Sequence, residues 1–154
     1  MVEIFETKPR GFTLIELLVV IGIVGIISSI AIPTYSGFVE EARNLKVITE
    51  IKMLEEEIAN YQTNNGNLPN SLDDIGRGSF RDAWGNPYRY LNFATEHGVG
   101  QMRKDRFLVP INTDYDLYSM GKDGRSQTPL TAAFSRDDII RANNGEFIGL
   151  ASAY

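Results

Sequence analysis

Glu16 is the only charge within twenty-one residues, Phe12–Ile32, FTLIELLVVIGIVGIISSIAI. As a helix rising about 1.5 Å per residue, that run covers roughly 30 Å, the hydrocarbon thickness of a bilayer. A carboxylate inside such a span costs about 2.5–3.5 kcal/mol on insertion scales, so it needs a partner. No basic residue lies between Arg10 and Arg43. Cleavage after Gly11 would create one. The new α-amino group of Phe12 would stand one helical turn from Glu16, on the same chain or on a neighbouring copy. The spacing points to a cut before Phe12 and to lateral association of identical helices. A secretory signal peptide would have a shorter apolar run and a small-x-small cleavage site after it. Here the run ends in Ile32-Pro33-Thr34-Tyr35. A plain signal anchor leaves Glu16 unexplained. Gly22 and Gly25 read equally as close-packing positions and as ordinary membrane-helix glycines.

Other chemistry is sparse. With no cysteine, disulfides, thiolate metal sites and thiol nucleophiles are excluded. His97, the one histidine, sits in Thr95-Glu96-His97-Gly98 and reads as a surface-loop residue. Gly121-Lys122 lacks the glycine spacing and the Ser/Thr of a P-loop, and no G-x-S-x-G occurs. Fifteen basic against twenty acidic residues, a net charge of −5, argue against nucleic acid. Nothing in the chain argues for an enzyme.

These residues have to be carried by a helix and a head. Beyond Pro33, apolar residues recur every three or four positions: Val39, Ala42, Leu45, Ile48, Ile51, Leu54, Ile58 and Tyr61. Glutamates, lysines and Arg43 fill the opposite face. The pattern predicts an amphipathic helix to about residue 63, stopped by Asn64-Asn65-Gly66 with Pro69 beyond. A coiled coil has only about three heptads available and lacks an e/g charge pattern. A head packed on the stripe is the better reading. Residues 64–154 are rich in turn signals, among them Trp84-Gly85-Asn86-Pro87, Asp123-Gly124 and Asn144-Gly145. Strand-like runs lie at Tyr88–Phe93, Phe107–Val109 and Tyr115–Met120. Leu68–Ile75 reads as a loop with a short helical turn. Trp84, Tyr88 and Tyr90 are expected in the core of a small antiparallel sheet. The fold class is α+β, with residues 1–11 a leader, 12–34 a membrane and polymerisation helix, and 35–154 the head.

Lys8-Pro9-Arg10-Gly11-Phe12-Thr13-Leu14-Ile15-Glu16-Leu17-Leu18-Val19-Val20 resembles the processing motif of type IV pilins and type II secretion pseudopilins. The resemblance implies cleavage after Gly11 by prepilin peptidase, N-methylation of Phe12, an assembly role for Glu16 and a helix-kinking role for Pro33. In the head, Asp82-Ala83-Trp84-Gly85-Asn86-Pro87-Tyr88 and Tyr115-Asp116-Leu117-Tyr118-Ser119-Met120-Gly121-Lys122-Asp123-Gly124 resemble segments of the major secretion pseudopilins. There the loop after the second segment binds calcium. That implies a carbonyl ligand at Met120, a side-chain ligand at Asp123 and a downstream acid, Asp137 or Asp138. On residues alone, Asp123-Gly124 reads as a hairpin turn. The resemblance further implies a homopolymer in the bacterial inner membrane with its head in the periplasm. Its partners would be other pseudopilins, an inner-membrane platform protein and an assembly ATPase. A surface type IV pilin and a membrane-anchored periplasmic binding module are the competing readings.

Overall fold

The computed structural model describes residues 11–96 and 98–154. The expected leader up to Arg10 and the expected loop position of His97 lie outside the described residues. One helix, α1 (Leu14–Asn65), precedes a short 3-10 turn, Leu72–Ile75, and four strands. These are β1 (Arg89–Asn92), β2 (Tyr115–Ser119), β3 (Ile139–Ala142) and β4 (Phe147–Leu150). They form one antiparallel meander in chain order. The α+β fold is therefore as expected. The chain divides between Val39 and Glu40 into two compact units.

In the first unit the large apolar side chains from Leu14 to Ile32 are all exposed. Among the described residues this is the one stretch long and apolar enough to cross a membrane. Pro33 lies inside α1, which continues through it. Proline has no N–H to give the carbonyl one turn back. Around it, the hydroxyls of Ser29, Thr34 and Ser36 donate to the carbonyls of Ile26, Ile30 and Pro33 at 2.7, 2.9 and 2.8 Å. Polar side chains are thus satisfied within the helix, as an apolar surrounding requires.

In the second unit α1 buries Val47, Ile51, Leu54 and Ile58 completely. Their alternating steps of four and three hold one face of a helix with 3.6 residues per turn. The expected stripe ran through Ala42, Leu45, Ile48 and Ile51 in steps of three. Such steps drift by about 60° each, half a turn over the series. Leu45 is accordingly 58% exposed, and Val47 takes the buried place. The helix stops where the sequence placed its end. Gly66 enters the left-handed region at φ +80°, and its N–H closes on the Gln62 carbonyl at 2.8 Å.

The sheet has two apolar faces. Tyr115, Leu117 and Ile139 join Leu72 and Tyr88 against the α1 residues. Ile140 and Ala142 form a second cluster with Ile111, Leu130 and Ala151. Side chains alternate across a strand, so β3 is covered on both sides. The segment between β2 and β3, with residues 103–112, closes over that second face. The expected strand Phe107–Val109 is not formed. Asp105 and Leu108 exchange main-chain hydrogen bonds at 3.0 and 2.7 Å across a two-residue turn, with Arg106 at φ +44° and Phe107 fully exposed. Three apolar residues before a proline are too few to pair as a strand. The β3–β4 hairpin, whose turn is Asn143-Asn144-Gly145, was visible in the sequence only as its turn.

Candidate functional site

The start of α1 is built around Glu16. Thr13 is its N-cap: the Thr13 N–H and hydroxyl both donate to Glu16 Oε2 at 2.8 Å, and the Glu16 N–H reaches the Thr13 hydroxyl at 3.3 Å. This is a reciprocal capping box. It satisfies otherwise orphaned donors at the helix start and gives the carboxylate a local partner without any cation. The T-x-x-E spacing before an apolar run carried that signal in the sequence. Gly11 and Phe12 precede the helix, with Phe12 exposed.

Carboxylates flanking the buried stripe of α1 grip the head. Tyr88 donates its phenol to Glu50 Oε2 at 2.6 Å, and Trp84 Nε1 donates to Glu40 Oε1 at 3.2 Å. Burial first, then the Glu50 carboxylate, raises the Tyr88 pKa. Arg77 pairs with Glu57, its Nε at 2.8 Å from Oε2. Arg141, buried in β3, reaches Glu55 at 2.7 Å and Asp114 at 2.9 Å, with its guanidinium 4.1 Å over the Tyr115 ring. These glutamates read in the sequence as a solvated face. Which of them would be used depended on a head that periodicity cannot place.

The segment Asp82–Tyr88 is a hydrogen-bonded bracket. Buried Asp82 accepts from the N–H groups of Trp84 and Asn86 at 3.0 and 2.8 Å and from the Ser119 hydroxyl at 2.6 Å. Asn86 Nδ2 donates to the Gly121 carbonyl at 2.8 Å, tying the bracket to the loop after β2. Gly121 must be glycine. Its φ is +62°, and a Cβ there would stand 2.2 Å from the Asp137 carbonyl oxygen.

Of the four expected calcium ligands, Asp123 and Asp137 lie side by side and Asp138 turns away from them. Asp123 is exposed and spends one oxygen on the Arg125 N–H at 2.8 Å, the Asx turn of a tight bend. Its own N–H donates to Asp137 Oδ2 at 3.1 Å. Asp138 points elsewhere: it is fully buried, with Oδ2 2.5 Å from an Arg103 guanidinium nitrogen and 2.5 Å from the Ser126 hydroxyl. Met120 is buried, and its sulfur accepts from Arg89 Nε at 3.4 Å. Calcium takes six to eight oxygens, commonly several from carboxylates. Among the described residues, no three Asp, Glu or His side chains come together so as to hold a metal. A guanidinium on the Asp138 oxygen would also oppose a divalent cation there. Asp123, Asp137 and Asp138 do not come together as a three-carboxylate calcium set.

Arg103 had no signal in the sequence; it stands in the charged run Arg103–Arg106. Besides Asp138 it donates to the Ser126 hydroxyl at 2.5 Å and the Gln127 carbonyl at 2.6 Å, with the Tyr118 ring 4.4 Å away. Its main-chain N–H donates to Asp116 Oδ2 at 2.6 Å. Burial pushes the Asp138 carboxyl up to about 6, against the opposing pull of Ser126 and Arg103. Asp116 is likewise raised by burial.

An apolar helix opening on a capped carboxylate, with a four-stranded antiparallel head folded on the helix's later turns, defines a pilin-like subunit. Residues 7–32 match the prokaryotic N-terminal methylation motif. Type II secretion system core protein G of Aeromonas hydrophila is 32% identical, over 92% of this chain and 98% of that protein. The protein of the same name from Escherichia coli K12 is 32% identical over 79% of this chain and 87% of its own length. A fimbrial protein of Neisseria meningitidis is 34% identical, but over 52% of this chain and 47% of that protein. No solved structure matches the chain significantly. The chain belongs to the type II secretion system core protein G family.

Proposed function

We propose that the chain is the repeating structural subunit of a periplasmic pseudopilus that supports type II protein secretion. Its role is assembly rather than catalysis. The observation that carries the reading is the Leu14–Ile32 stretch, apolar on every side and uncovered. Such a surface is stable in lipid or among its own kind. In the inner membrane the subunit waits with its head in the periplasm. Extraction leaves an apolar helix that is reburied only beside other such helices. Processing by prepilin peptidase after Gly11 supplies Phe12 as a methylated amino terminus, and a neighbour's terminus compensates Glu16 in the packed bundle. An inner-membrane platform protein and a cytoplasmic ATPase supply the work of extraction, and minor pseudopilins share the filament. Likeness to secretion proteins along nearly the whole chain supports this reading over a surface pilus.

Intact-mass measurement of protein from its native membrane tests the processing step. The expected species lacks residues 1–11 and carries one added methyl group. A mature species retaining those residues, in cells with active peptidase, overturns the assignment.

A further inference from the structure

We propose that Arg103 is the resident cation of the head: its guanidinium, clasped by Asp138, Ser126 and the Gln127 carbonyl, orders residues 121–138 in place of a metal ion. The loop is therefore independent of divalent cations.

The acceptors are the kinds of oxygen a hard cation would recruit: a carboxylate, a hydroxyl and a main-chain carbonyl. Here they surround a planar guanidinium, whose fixed fork of N–H donors suits several acceptors at once. The Ser126 hydroxyl accepts from Arg103 and donates onward to Asp138, so the three groups form one connected network. Arg103 is 2% exposed and Asp138 0%, which removes the solvent that would otherwise weaken the pair.

The position of the arginine makes it a clasp. Its own backbone is fixed to β2 through Asp116 and paired beside the loop, with Lys104 N–H on the Thr128 carbonyl at 3.2 Å and Leu130 N–H on the Lys104 carbonyl at 2.9 Å. The guanidinium then joins Ser126 and Gln127, on the outgoing side of the loop, to Asp138 on its return into β3. Ser135 doubles the closure, accepting from the Gln127 N–H at 2.9 Å and donating to the Gln127 carbonyl at 2.7 Å. The pair has a cost: Arg103 Nε and Asp138 Oδ1 are buried without hydrogen-bond partners. A clasp this deeply buried makes removal of the arginine far more damaging than removal of a surface charge.

The experiment is hydrogen exchange and limited proteolysis of the full chain in mild detergent, in millimolar calcium chloride and again in excess chelator. Wild-type protection across residues 121–138 is expected to agree within about twofold in the two buffers. Arg103→Met should lose at least tenfold protection in the same segment in both buffers. Arg103→Lys, which keeps the charge but not the fork, should fall between. Should Arg103→Met fail to fold, Ser126→Ala removes one limb of the network with the ion pair intact, and should lose protection locally by a smaller factor. A tenfold gain in wild-type protection on adding calcium overturns the proposal. So does an Arg103→Met or Ser126→Ala chain whose loop is as protected as wild type.

Discussion

At Glu16 two partners compete for one carboxylate. Thr13 holds it within the chain through a main-chain and a hydroxyl hydrogen bond, and a neighbour's amino terminus would hold it in the proposed filament. The two roles separate by mutation. Thr13→Ala removes the cap's hydroxyl, a loss of about 1 kcal/mol of helix-end stability, and leaves the charge. Glu16→Ala removes the charge and the carboxylate half of the capping box, keeps the residue 16 N–H on the Thr13 hydroxyl, and lowers the cost of insertion. Both variants should insert normally. Filament yield, measured by shearing and immunoblot, should fall much further for Glu16→Ala than for Thr13→Ala; equal losses would reduce Glu16 to a capping residue. The exposure of this site to reading from sequence was uneven. The lone carboxylate, the glycine before Phe12 and the T-x-x-E spacing all act over one helical turn, so they stand next to one another in the chain. Arg103 and its acceptors are 23 to 35 residues apart, and only the folded loop brings them together.

Among the elements, α1 shows what periodicity does and does not specify. Ile51 and Leu45 belong to the same three-and-four pattern, yet one is wholly buried and the other 58% exposed. Their energetics should differ accordingly. Ile51→Ala deletes buried methyl groups and leaves a cavity, with an expected loss of about 2–5 kcal/mol. Leu45→Ala should change stability by no more than about 0.5 kcal/mol, in the range of surface substitutions. Urea denaturation of the two variants in parallel checks this, and similar losses would place the true packing face elsewhere on the helix. The helix end was legible because Gly66 acts on its own neighbours. The strands were less so. β1 and β2 carry aromatic and branched residues around clear turns, whereas β3, covered on both faces, shows no alternation to mark it. The Phe107–Val109 run had strand-like composition but no partner to pair with, and the chain spends it on a turn.

For the whole molecule, the division at Val39 separates two kinds of stability. Among the described residues, every buried apolar side chain lies at or beyond Val47, within the second unit. The carboxylate contacts to the head also begin only at Glu40. A chain beginning at Tyr35 keeps all of these, along with one helical turn ahead of Glu40 to absorb fraying at the new end. It loses the apolar stretch that demands lipid. It should therefore be a soluble monomer without detergent, by light scattering. It should melt within about 5 °C of the full chain in mild detergent, the shift expected for a change near 1 kcal/mol in a domain of this size. The same shortened chain should be unable to enter filaments, since the surface proposed to polymerise is gone while the head is intact. A melting temperature lowered by about 10 °C or more would mean that the span stabilises the head directly. Oligomers of the shortened chain at micromolar concentration would move the polymerising surface from the helix to the head.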